Sequence, residues 1–242
     1  DEIILIDQSG DSASHNAIKT LQRQNPEIRY EKAPLLGKSR ALNHAVNITS
    51  ADFLAFTDDD VQVDERWLEK VAALIAEHPD AEAFCGKVLP EHNTDPKNHL
   101  NLVLGNKKKW IETNPLNSGF CGANIFVRRD TLVRVGGFHE SFGPGAVFRS
   151  NEDGELAYRL VRAGIAVLYS PDLVVYHSGW RRETDNRQLK SNYAFGLGAL
   201  AGYYMRQGDP VPFYCLAIKA FLKFRRLILG VMIFQKERVV DG

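Results

Sequence analysis

The sequence lacks an excess of either charge, because 30 lysines and arginines balance 30 aspartates and glutamates among its 242 residues. Nucleic-acid-binding domains usually carry a basic excess, so we expect no nucleic acid among the partners of this chain. Cysteine is scarce as well. The three cysteines form no Cys-x-x-Cys pair, so neither a zinc knuckle nor a disulfide framework is indicated. Buried free thiols suit a reducing compartment, and we expect a cytoplasmic protein.

A long uncharged hydrophobic run is also missing. The segment 211–235 is rich in Phe, Leu, Ile and Val, but Lys219, Lys223, Arg225 and Arg226 interrupt it. It therefore has no stretch of about 18 uncharged residues that spans a membrane. As a helix it separates a cationic side from an apolar side. Such a helix either lies on the inner face of an anionic membrane or docks on the rest of the protein or a second subunit, and both interpretations stay open.

A signal peptide is not visible, and the first residue is Asp1 rather than Met. An apolar run starts directly behind it. We therefore expect that a segment preceding Asp1 is missing from this sequence.

Short apolar runs alternate with helical patterns through the first half of the chain. The runs predict strands at 3–6, 28–30 and 53–56, with helices between them and after Asp64. Strands that are apolar throughout are typical of a sheet covered on both faces. The pattern therefore predicts an α/β fold with a mostly parallel central sheet flanked by helices.

The second half is less regular. It predicts a strand at 119–129, a helix from about Asn151 to just before Gly164, strands at 165–169 and 173–176, and helices from about Asn186.

Three adjacent carboxylates, Asp58, Asp59 and Asp60, follow the apolar run 53–56. Ligands collect at the carboxyl ends of parallel strands. Adjacent carboxylates repel one another, and a bound cation offsets that repulsion. Their hard oxygen ligands suit Mg²⁺ or Mn²⁺, which commonly bridge carboxylates to a diphosphate. The alternative is a solvated acidic turn.

A second acidic group, Asn151-Glu152-Asp153-Gly154-Glu155, opens a predicted helix. The helix dipole favours carboxylates at this end. An ionised carboxylate there can accept a proton from an incoming hydroxyl as a general base. Plain helix capping is the alternative explanation.

Further candidates lie at two other strand ends. His177 follows the apolar run 174–176 and can complete a metal site that carboxylates began, although a lone histidine is more often structural. Arg181 and Arg182 follow it and can bind a phosphate. Asp7, at the end of the first run, either accepts a hydrogen bond from a nucleobase N–H or bonds its own turn.

Several segments in a fixed order resemble glycosyltransferase family 2, which has the GT-A fold. They are Ile4-Leu5-Ile6-Asp7-Gln8-Ser9-Gly10-Asp11, Gly37-Lys38-Ser39-Arg40-Ala41-Leu42-Asn43, Phe56-Thr57-Asp58-Asp59-Asp60, Gly136-Gly137-Phe138, Glu152-Asp153 and the segment from Pro171 to His177. The resemblance covers residues 1 to about 182.

The resemblance assigns roles to the acidic residues. It implies that Asp58 and Asp60 form the Asp-x-Asp pair that holds Mg²⁺ or Mn²⁺ on the donor diphosphate, with Asp59 beside them at the nucleotide sugar. It implies that Asp153 is the catalytic base and that Glu152 is its usual neighbour.

The resemblance also assigns roles around the nucleotide. His177 matches a third metal ligand, Asp7 matches the residue that reads the nucleobase, and Arg40 and Asn43 fall in the segment that lines the nucleotide pocket. Leu42 stands where many members have Arg, so part of the phosphate contact differs. The family's first strand and its turn are absent, and we interpret the chain as a fragment.

The implied activity is transfer of a sugar, with inversion, from a nucleotide-diphosphate donor to an acceptor hydroxyl of a glycan or lipid-linked saccharide. A UDP-sugar is the first candidate donor, because uracil offers an N–H to Asp7. We expect a catalytic domain at 1–182 and a helical extension at 183–242. A nucleotidyltransferase and a non-catalytic sugar-binding or scaffold module remain alternatives.

Overall fold

The computed structural model describes residues 2–9, 12–33, 35–91, 102–113, 119–178, 183–222 and 225. The chain forms two compact units, Asp1–Gly196 and Leu197–Gly242. One helix, Glu183–Arg206, runs across the boundary between them. The division at residue 182 that the sequence suggests stays a prediction.

The first half of the chain alternates strands and helices. In order, its elements are β1 (Ile3–Asp7), α1 (Ser12–Gln24), β2 (Ile28–Lys32), α2 (Lys38–Ile48), β3 (Phe53–Phe56), β4 (Val61–Val63) and α3 (Trp67–Glu77). The strands predicted from apolar runs in this half are all present. Helices α2 and α3 bury Val46, Trp67, Val71 and Leu74, whereas Leu68 of α3 is exposed.

Among the described residues of the second half, four strands and three α-helices follow as far as residue 206. They are β5 (Ala83–Pro90), β6 (Lys109–Ile111), β7 (Ile125–Arg128), α4 (Arg129–Arg134), α5 (Glu152–Arg162), β8 (Val167–His177) and α6 (Glu183–Arg206). Helix α5 ends before Gly164, which has a positive φ of 77°, as predicted for a glycine that follows a helix C-terminus.

The strands form two sheets. Strands β1 and β2 pair in parallel, and the other six form a sheet in the order β3-β7-β5-β8-β4, with β6 also on β8. This is the predicted α/β class, but the expectation of a mostly parallel sheet is wrong. Among the described strands of the larger sheet, β5 and β8 run parallel, whereas the pairs β3–β7, β5–β7, β4–β8 and β6–β8 are antiparallel.

Pairing between strands that are far apart in the chain accounts for the mixed directions. Strands β3 and β4 follow one another in the chain but lie at opposite ends of the strand order, where β3 pairs with β7 and β4 pairs with β8. Each of them thus pairs with a strand from the second half of the chain. The alternation of strands and helices in the first half therefore does not by itself build a parallel sheet.

Two predicted strand boundaries are also wrong. The segment predicted as a strand at 119–129 is a strand only at Ile125–Arg128, preceded by a 3-10 turn at Gly122–Asn124. The two strands predicted at 165–169 and 173–176 are one strand, β8. Its pairing with β5 jumps from Ser170 to Val174, so Pro171 lies in an irregularity where no ladder N–H is required.

Two of the three cysteines lie in the interior, as predicted. Cys85 and Cys121 are buried, and Cys215 is only half-buried; none is in a disulfide. Burial raises the pKa of the Cys121 thiol to about 12, so this group stays protonated at neutral pH.

The part of the second unit that is described is helical, comprising the end of α6 and a helix over 211–222 (α7). Helix α7 exposes the apolar side chains of Val211, Phe213, Tyr214, Ile218, Phe221 and Leu222. Within the described part of the chain, none of the helices has the length and apolar character that crossing a membrane requires. Residues 226–235 of the predicted amphipathic segment, together with 223 and 224, lie outside the described residues.

A buried asparagine holds the centre of the large sheet together. Asn124 is completely buried. Its amide nitrogen donates to the carbonyls of Lys87 (2.8 Å) and Leu173 (3.0 Å), and its amide oxygen accepts from Trp67 Nε1 (2.9 Å). These bonds join β5, β8 and α3 at one point. They also leave no room beside β5, since a Cβ added to Gly86 would lie 2.6 Å from the Asn124 amide nitrogen.

We expect Asn124→Ala to lower the free energy of unfolding by about 2–4 kcal/mol, because it leaves one N–H and two carbonyls unpaired in the interior. Urea-induced unfolding measures the change. The control is Asn106→Ala, which removes an exposed partner of Lys87 Nζ and should cost less than about 0.5 kcal/mol. Equal losses in the two variants would contradict the role given to Asn124.

Candidate active site

The acidic residues singled out in the sequence come from separate elements. Asp58 and Asp60 lie in the turn between β3 and β4, while Glu152 and Asp153 open helix α5. One basic residue contacts a member of each group. It is Lys38, the first residue of helix α2.

Lys38 connects the two acidic groups. Its ammonium nitrogen lies 2.5 Å from Asp58 Oδ1 and 3.3 Å from Glu152 Oε1. Both Lys38 and Asp58 keep about a quarter of their side-chain surface exposed. Burial opposes the positive charge, but the carboxylates of Glu152, Asp58 and Asp153 outweigh that effect and raise the pKa of Lys38. The site therefore contains a permanent ammonium ion.

The main chain around Lys38 is fixed by contacts with a glycine-containing loop. The Lys38 N–H donates to the carbonyl of Pro144 (3.0 Å), and the hydroxyl of buried Ser39 donates to the carbonyl of Phe142 (2.7 Å). Gly143 in this loop has a φ of 102°, a conformation that favours glycine. These contacts determine where the ammonium group can reach.

Glu152 is the buried member of the acidic pair. It is 7% exposed. Burial raises the pKa of the Glu152 carboxyl, the neighbouring charge of Asp153 raises it further, and Lys38 partly offsets both. Burial therefore favours the protonated form of Glu152, whereas the Lys38 ammonium favours its ionised form.

Asp153 is held by two backbone donors. Its Oδ2 accepts from the Gly122 N–H (2.9 Å) and its Oδ1 from the Gly154 N–H (2.7 Å). Gly154 lies in the first turn of α5, whose N–H groups have no intrahelical partner. Gly122 belongs to the 3-10 turn that also contains Asn124, so the buried asparagine and the carboxylate share one rigid piece of chain. Each carboxylate oxygen keeps a lone pair for another partner.

Asp60 and His177 form the other end of the site. Val61 pairs with His177 across β4 and β8, and the Ser178 N–H donates to the Asp60 carbonyl (2.9 Å). The His177 Nε2 atom lies 3.7 Å from Asp60 Oδ1, which is too long for a hydrogen bond. The imidazole is buried, and its Nδ1 atom has no hydrogen-bond partner among the residues that the structure describes.

The predicted metal ligands therefore occupy two places. Asp58 contacts Lys38, whereas Asp60 faces His177, and Asp59 is exposed in the turn. Among the residues that the structure describes, no group of three or more His, Cys, Asp or Glu side chains is arranged to hold a metal ion.

The Asp7 carboxylate ends β1 and is already hydrogen-bonded. Its Oδ1 accepts from the Ser9 N–H (2.7 Å), and its Oδ2 accepts from the Tyr30 hydroxyl (2.7 Å) and Lys32 Nζ (3.2 Å). Hydrogen bonds from Ser9 and Tyr30, with a smaller contribution from Lys32, hold the pKa of Asp7 far below its usual range. The carboxylate is ionised and fixed in direction, which suits both alternatives considered for it, a base-reading residue and a turn residue.

Arg40 and Asn43 have structural partners. Arg40 pairs with Glu140 at the surface (3.2 Å). The Asn43 amide exchanges two hydrogen bonds with the backbone of Phe138, at 2.7 and 2.8 Å. Two of the segments that carry the family resemblance thus contact each other through Asn43. Arg181 and Arg182 lie outside the described residues.

Lys38 and Asn124 were not predicted as site residues. Lys38 belongs to the segment Gly37–Asn43 that carries the resemblance, so the sequence indicated the importance of this segment. Nothing in the sequence indicated which carboxylates Lys38 contacts. Asn124 stands in an apolar run, and a polar residue inside such a run is the signal that it has buried partners.

The sequence matches a known family. Residues 1–136 match the sequence model of glycosyl transferase family 2. Among curated proteins, the pre-mycofactocin glycosyltransferase of Mycobacterium tuberculosis, from two strains, is 28% identical over 178 residues. The alignment covers 72% of this chain and 36% of that protein, so the chain spans about a third of the length of the curated relatives that it matches.

Solved structures are similar in fold. A mannosyltransferase of Pyrobaculum calidifontis in complex with GDP-Man and Mn²⁺ has a TM-score of 0.61 at 18% identity, over 88% of this chain and 57% of that one. S. aureus TarS 1-349 in complex with UDP-GlcNAc has a TM-score of 0.56 at 20% identity, over 75% and 50%. GalNAc-T7 with UDP, GalNAc and Mn²⁺ has a TM-score of 0.54 at 14% identity, over 74% and 39%.

At these identities the structural similarities establish the fold, which is GT-A as the sequence predicted. The family match covers more than half of the chain, including Lys38 and the acidic turn at Asp58–Asp60. The chain belongs to glycosyl transferase family 2.

Proposed function

We propose that this chain transfers a sugar from a nucleotide-diphosphate donor to an acceptor hydroxyl, with inversion at the anomeric carbon. The observation that carries the proposal is the position of Asp153. Two backbone N–H groups hold this carboxylate next to Glu152 in the chain, and Glu152 contacts the Lys38 ammonium that also contacts Asp58. Family membership supports the same activity.

Asp153 acts as the general base in this proposal. The acceptor oxygen forms a bond to the anomeric carbon while the bond from that carbon to the diphosphate oxygen breaks. Asp153 takes the hydroxyl proton, and the nucleoside diphosphate leaves with the electron pair. A single displacement assisted by one base inverts the configuration, and it needs no second carboxylate as nucleophile. Glu152 precedes Asp153 at the start of α5, and its carboxylate contacts the Lys38 ammonium at 3.3 Å.

Asp60, His177 and Asp58 are the residues that would hold Mg²⁺ or Mn²⁺. Asp60 Oδ1 and His177 Nε2 face each other at 3.7 Å, so the two residues supply a carboxylate oxygen and an imidazole nitrogen side by side. When bound, the cation would neutralise charge on the leaving diphosphate. Two of the structurally similar glycosyltransferases were solved with Mn²⁺.

A uridine donor is the first choice, because a fixed and ionised Asp7 can accept a hydrogen bond from the N–H of uracil. The structural relatives include proteins solved with UDP-GlcNAc and with GDP-Man. We further propose that Asp59, Arg40 and Asn43 line the donor site, Asn43 by fixing the loop at Phe138. The acceptor is a hydroxyl of a glycan or of a lipid-linked saccharide.

Two rival functions are less well supported. The family match favours glycosyl transfer over nucleotidyl transfer. A non-catalytic sugar-binding or scaffold module would gain nothing from a carboxylate fixed as Asp153 is, and release of nucleoside diphosphate from a panel of donors distinguishes it from an enzyme.

We expect Asp153→Asn to keep donor binding while turnover falls roughly 10²- to 10⁴-fold, the loss typical of a general base. The measurement is released nucleoside diphosphate at saturating donor. Asp130→Asn is the matched control, since Asp130 also lies in the first turn of a helix but is almost fully exposed. Turnover at the parental rate in Asp153→Asn would exclude it as the base and make Glu152 the residue to test.

We expect Asp60→Ala to remove the dependence of nucleotide binding on Mn²⁺, because it deletes a carboxylate that faces His177. Calorimetric titration with UDP, with and without Mn²⁺, measures this. Asp52→Ala is the control, since Asp52 precedes the other end of β3 and is exposed. Mn²⁺-dependent UDP binding that survives in Asp60→Ala would contradict the assignment. The same titration with GDP tests the uridine preference, which tighter GDP binding would overturn.

We also propose that the C-terminal segment contacts a membrane surface. Helix α7 exposes large apolar side chains, among them Phe213, Ile218 and Phe221, and Lys219 lies on the same helix. The full chain should float with anionic vesicles and not with neutral ones, and Lys219→Glu together with Lys223→Glu should weaken flotation. Absence of flotation with both vesicle types would favour docking on protein.

A further inference from the structure

Helix α6 packs closely against the loop that leads into α5. Ser150 of this loop is buried, and its hydroxyl donates to the Asn192 carbonyl of α6 at 2.8 Å. Gly196 lies beside this bond. A Cβ added to Gly196 would lie 2.2 Å from Ser150 Oγ, 2.9 Å from the Ser150 carbonyl oxygen and 3.1 Å from the Phe148 carbonyl oxygen. Two of these three atoms belong to the backbone, so a side chain at this position would push the helix and the loop apart.

The loop contains two residues in a conformation that side chains disfavour. Arg149 has a φ of 63° and Asn151 a φ of 72°, and in the described part of the chain these are the non-glycine residues with positive φ. The Ser150 N–H donates to the Phe148 carbonyl at 2.8 Å. This bond closes a three-residue turn around Arg149, and such a turn with a positive central φ is rare and strained.

Contacts with α6 hold this strained segment in place. Strained backbone persists only where the surrounding structure fixes it. The guanidinium carbon of Arg149 lies 4.8 Å from the centre of the Phe195 ring of α6, and Ser150 is bonded to the same helix. Helix α6 therefore contacts two consecutive residues of the loop.

The same loop determines where the helix with Asp153 begins. Asn151 directly precedes α5, and its carbonyl accepts from the Glu155 N–H at 3.0 Å. Asp153 follows Ser150 by only three residues. The Gly122 N–H that bonds the Asp153 carboxylate comes from a different part of the chain. A shift of Ser150 would therefore move this carboxylate relative to its partner.

We propose that Ser150 and Gly196 are positioning residues for the reaction. The close approach of α6 at Gly196 holds the strained loop and thereby fixes the direction of the Asp153 carboxylate. This inference rests on the proposed function, and in it both residues act through the backbone of 150–153 rather than on the substrate. Misplacement of a catalytic group by about 1 Å can lower a rate roughly 100-fold, so the contact affects turnover more than donor binding.

Helix α6 also contains a matched control position. Gly198 lies two residues after Gly196 in the same helix, and a Cβ added there would meet no atom of the described residues within 4 Å. Alanine favours a helix over glycine at both positions. Gly196→Ala and Gly198→Ala thus make the same change to the helix, and the first of them also places a methyl group against the loop.

The test compares turnover and nucleotide affinity in the full chain. Turnover is the nucleoside diphosphate released at saturating donor, from a panel that includes UDP-GlcNAc and GDP-Man. We expect Gly196→Ala to lower turnover roughly 10- to 100-fold, while calorimetric titration with the same nucleoside diphosphate gives an unchanged dissociation constant. Gly198→Ala should match the parent in both measurements. Ser150→Ala removes the bond to Asn192 without adding volume, and it should lower turnover by a smaller factor.

A double-mutant cycle tests whether the effect passes through Asp153. In the Asp153→Asn background, Gly196→Ala should cause little further loss of turnover, because the base that it displaces is already absent. The same fold loss in both backgrounds would overturn the inference. A loss of nucleotide affinity as large as the loss of turnover would overturn it too, since the whole site would then be displaced.

Thermal melting checks that each variant is folded. Turnover at the parental rate in folded Gly196→Ala, or an equal loss in Gly198→Ala, would overturn the inference and leave the proposed function intact. If Gly196→Ala does not fold, Ser150→Ala decides, and parental turnover in that variant would overturn the inference. Absence of turnover by the parent chain with every donor of the panel would instead contradict the proposed function itself.

Discussion

Electrostatic repulsion among carboxylates is the constraint that organises this site. Asp58, Glu152 and Asp153 come from two distant parts of the chain, and their approach is unfavourable unless positive charge lies between them. The Lys38 ammonium supplies that charge, with contacts of 2.5 Å to Asp58 and 3.3 Å to Glu152. Removing one member of such a partly buried group leaves the others uncompensated, which costs more than the contact itself contributes.

The position of Lys38 depends in turn on hydrogen bonds between side chains and backbone. Ser39 bonds the carbonyl of Phe142, and Asn43 exchanges two bonds with Phe138. Asn124 likewise bonds the backbone, at the carbonyl of Lys87. It thereby anchors the 3-10 turn whose Gly122 N–H donates to Asp153. Side chains of this kind determine where the loops around the acidic residues lie.

The segment Gly37–Asn43 illustrates how one motif combines several tasks. Lys38 contacts the acidic groups, Ser39 and Asn43 fix loops, and Arg40 forms an exposed pair with Glu140. Such a segment carries residues for the architecture as well as for the chemistry. A family resemblance that rests on it therefore indicates both. The same applies to Gly136–Phe138, which Asn43 and Arg159 both bond through the backbone.

The sequence by itself determined the fold class and the local elements of the first half. Apolar runs and turn residues are local signals, and they correctly predicted β1, β2, β3 and helix α5 with Gly164 behind it. The family resemblance also came from short contiguous segments. Each of these features depends on residues close together in the chain, so it can be read without the tertiary structure.

Tertiary structure decided strand direction and the partners of the charged groups. Strands β4 and β7 pair antiparallel with strands that are distant in the chain, and a local periodic pattern carries no information about such partners or their direction. The contact of Asp58 with Lys38 was likewise invisible, because it results from long-range packing of α2, α5 and the turn after β3. Contacts between residues far apart in sequence are set by how elements pack, and this packing alone brought one lysine between two acidic groups.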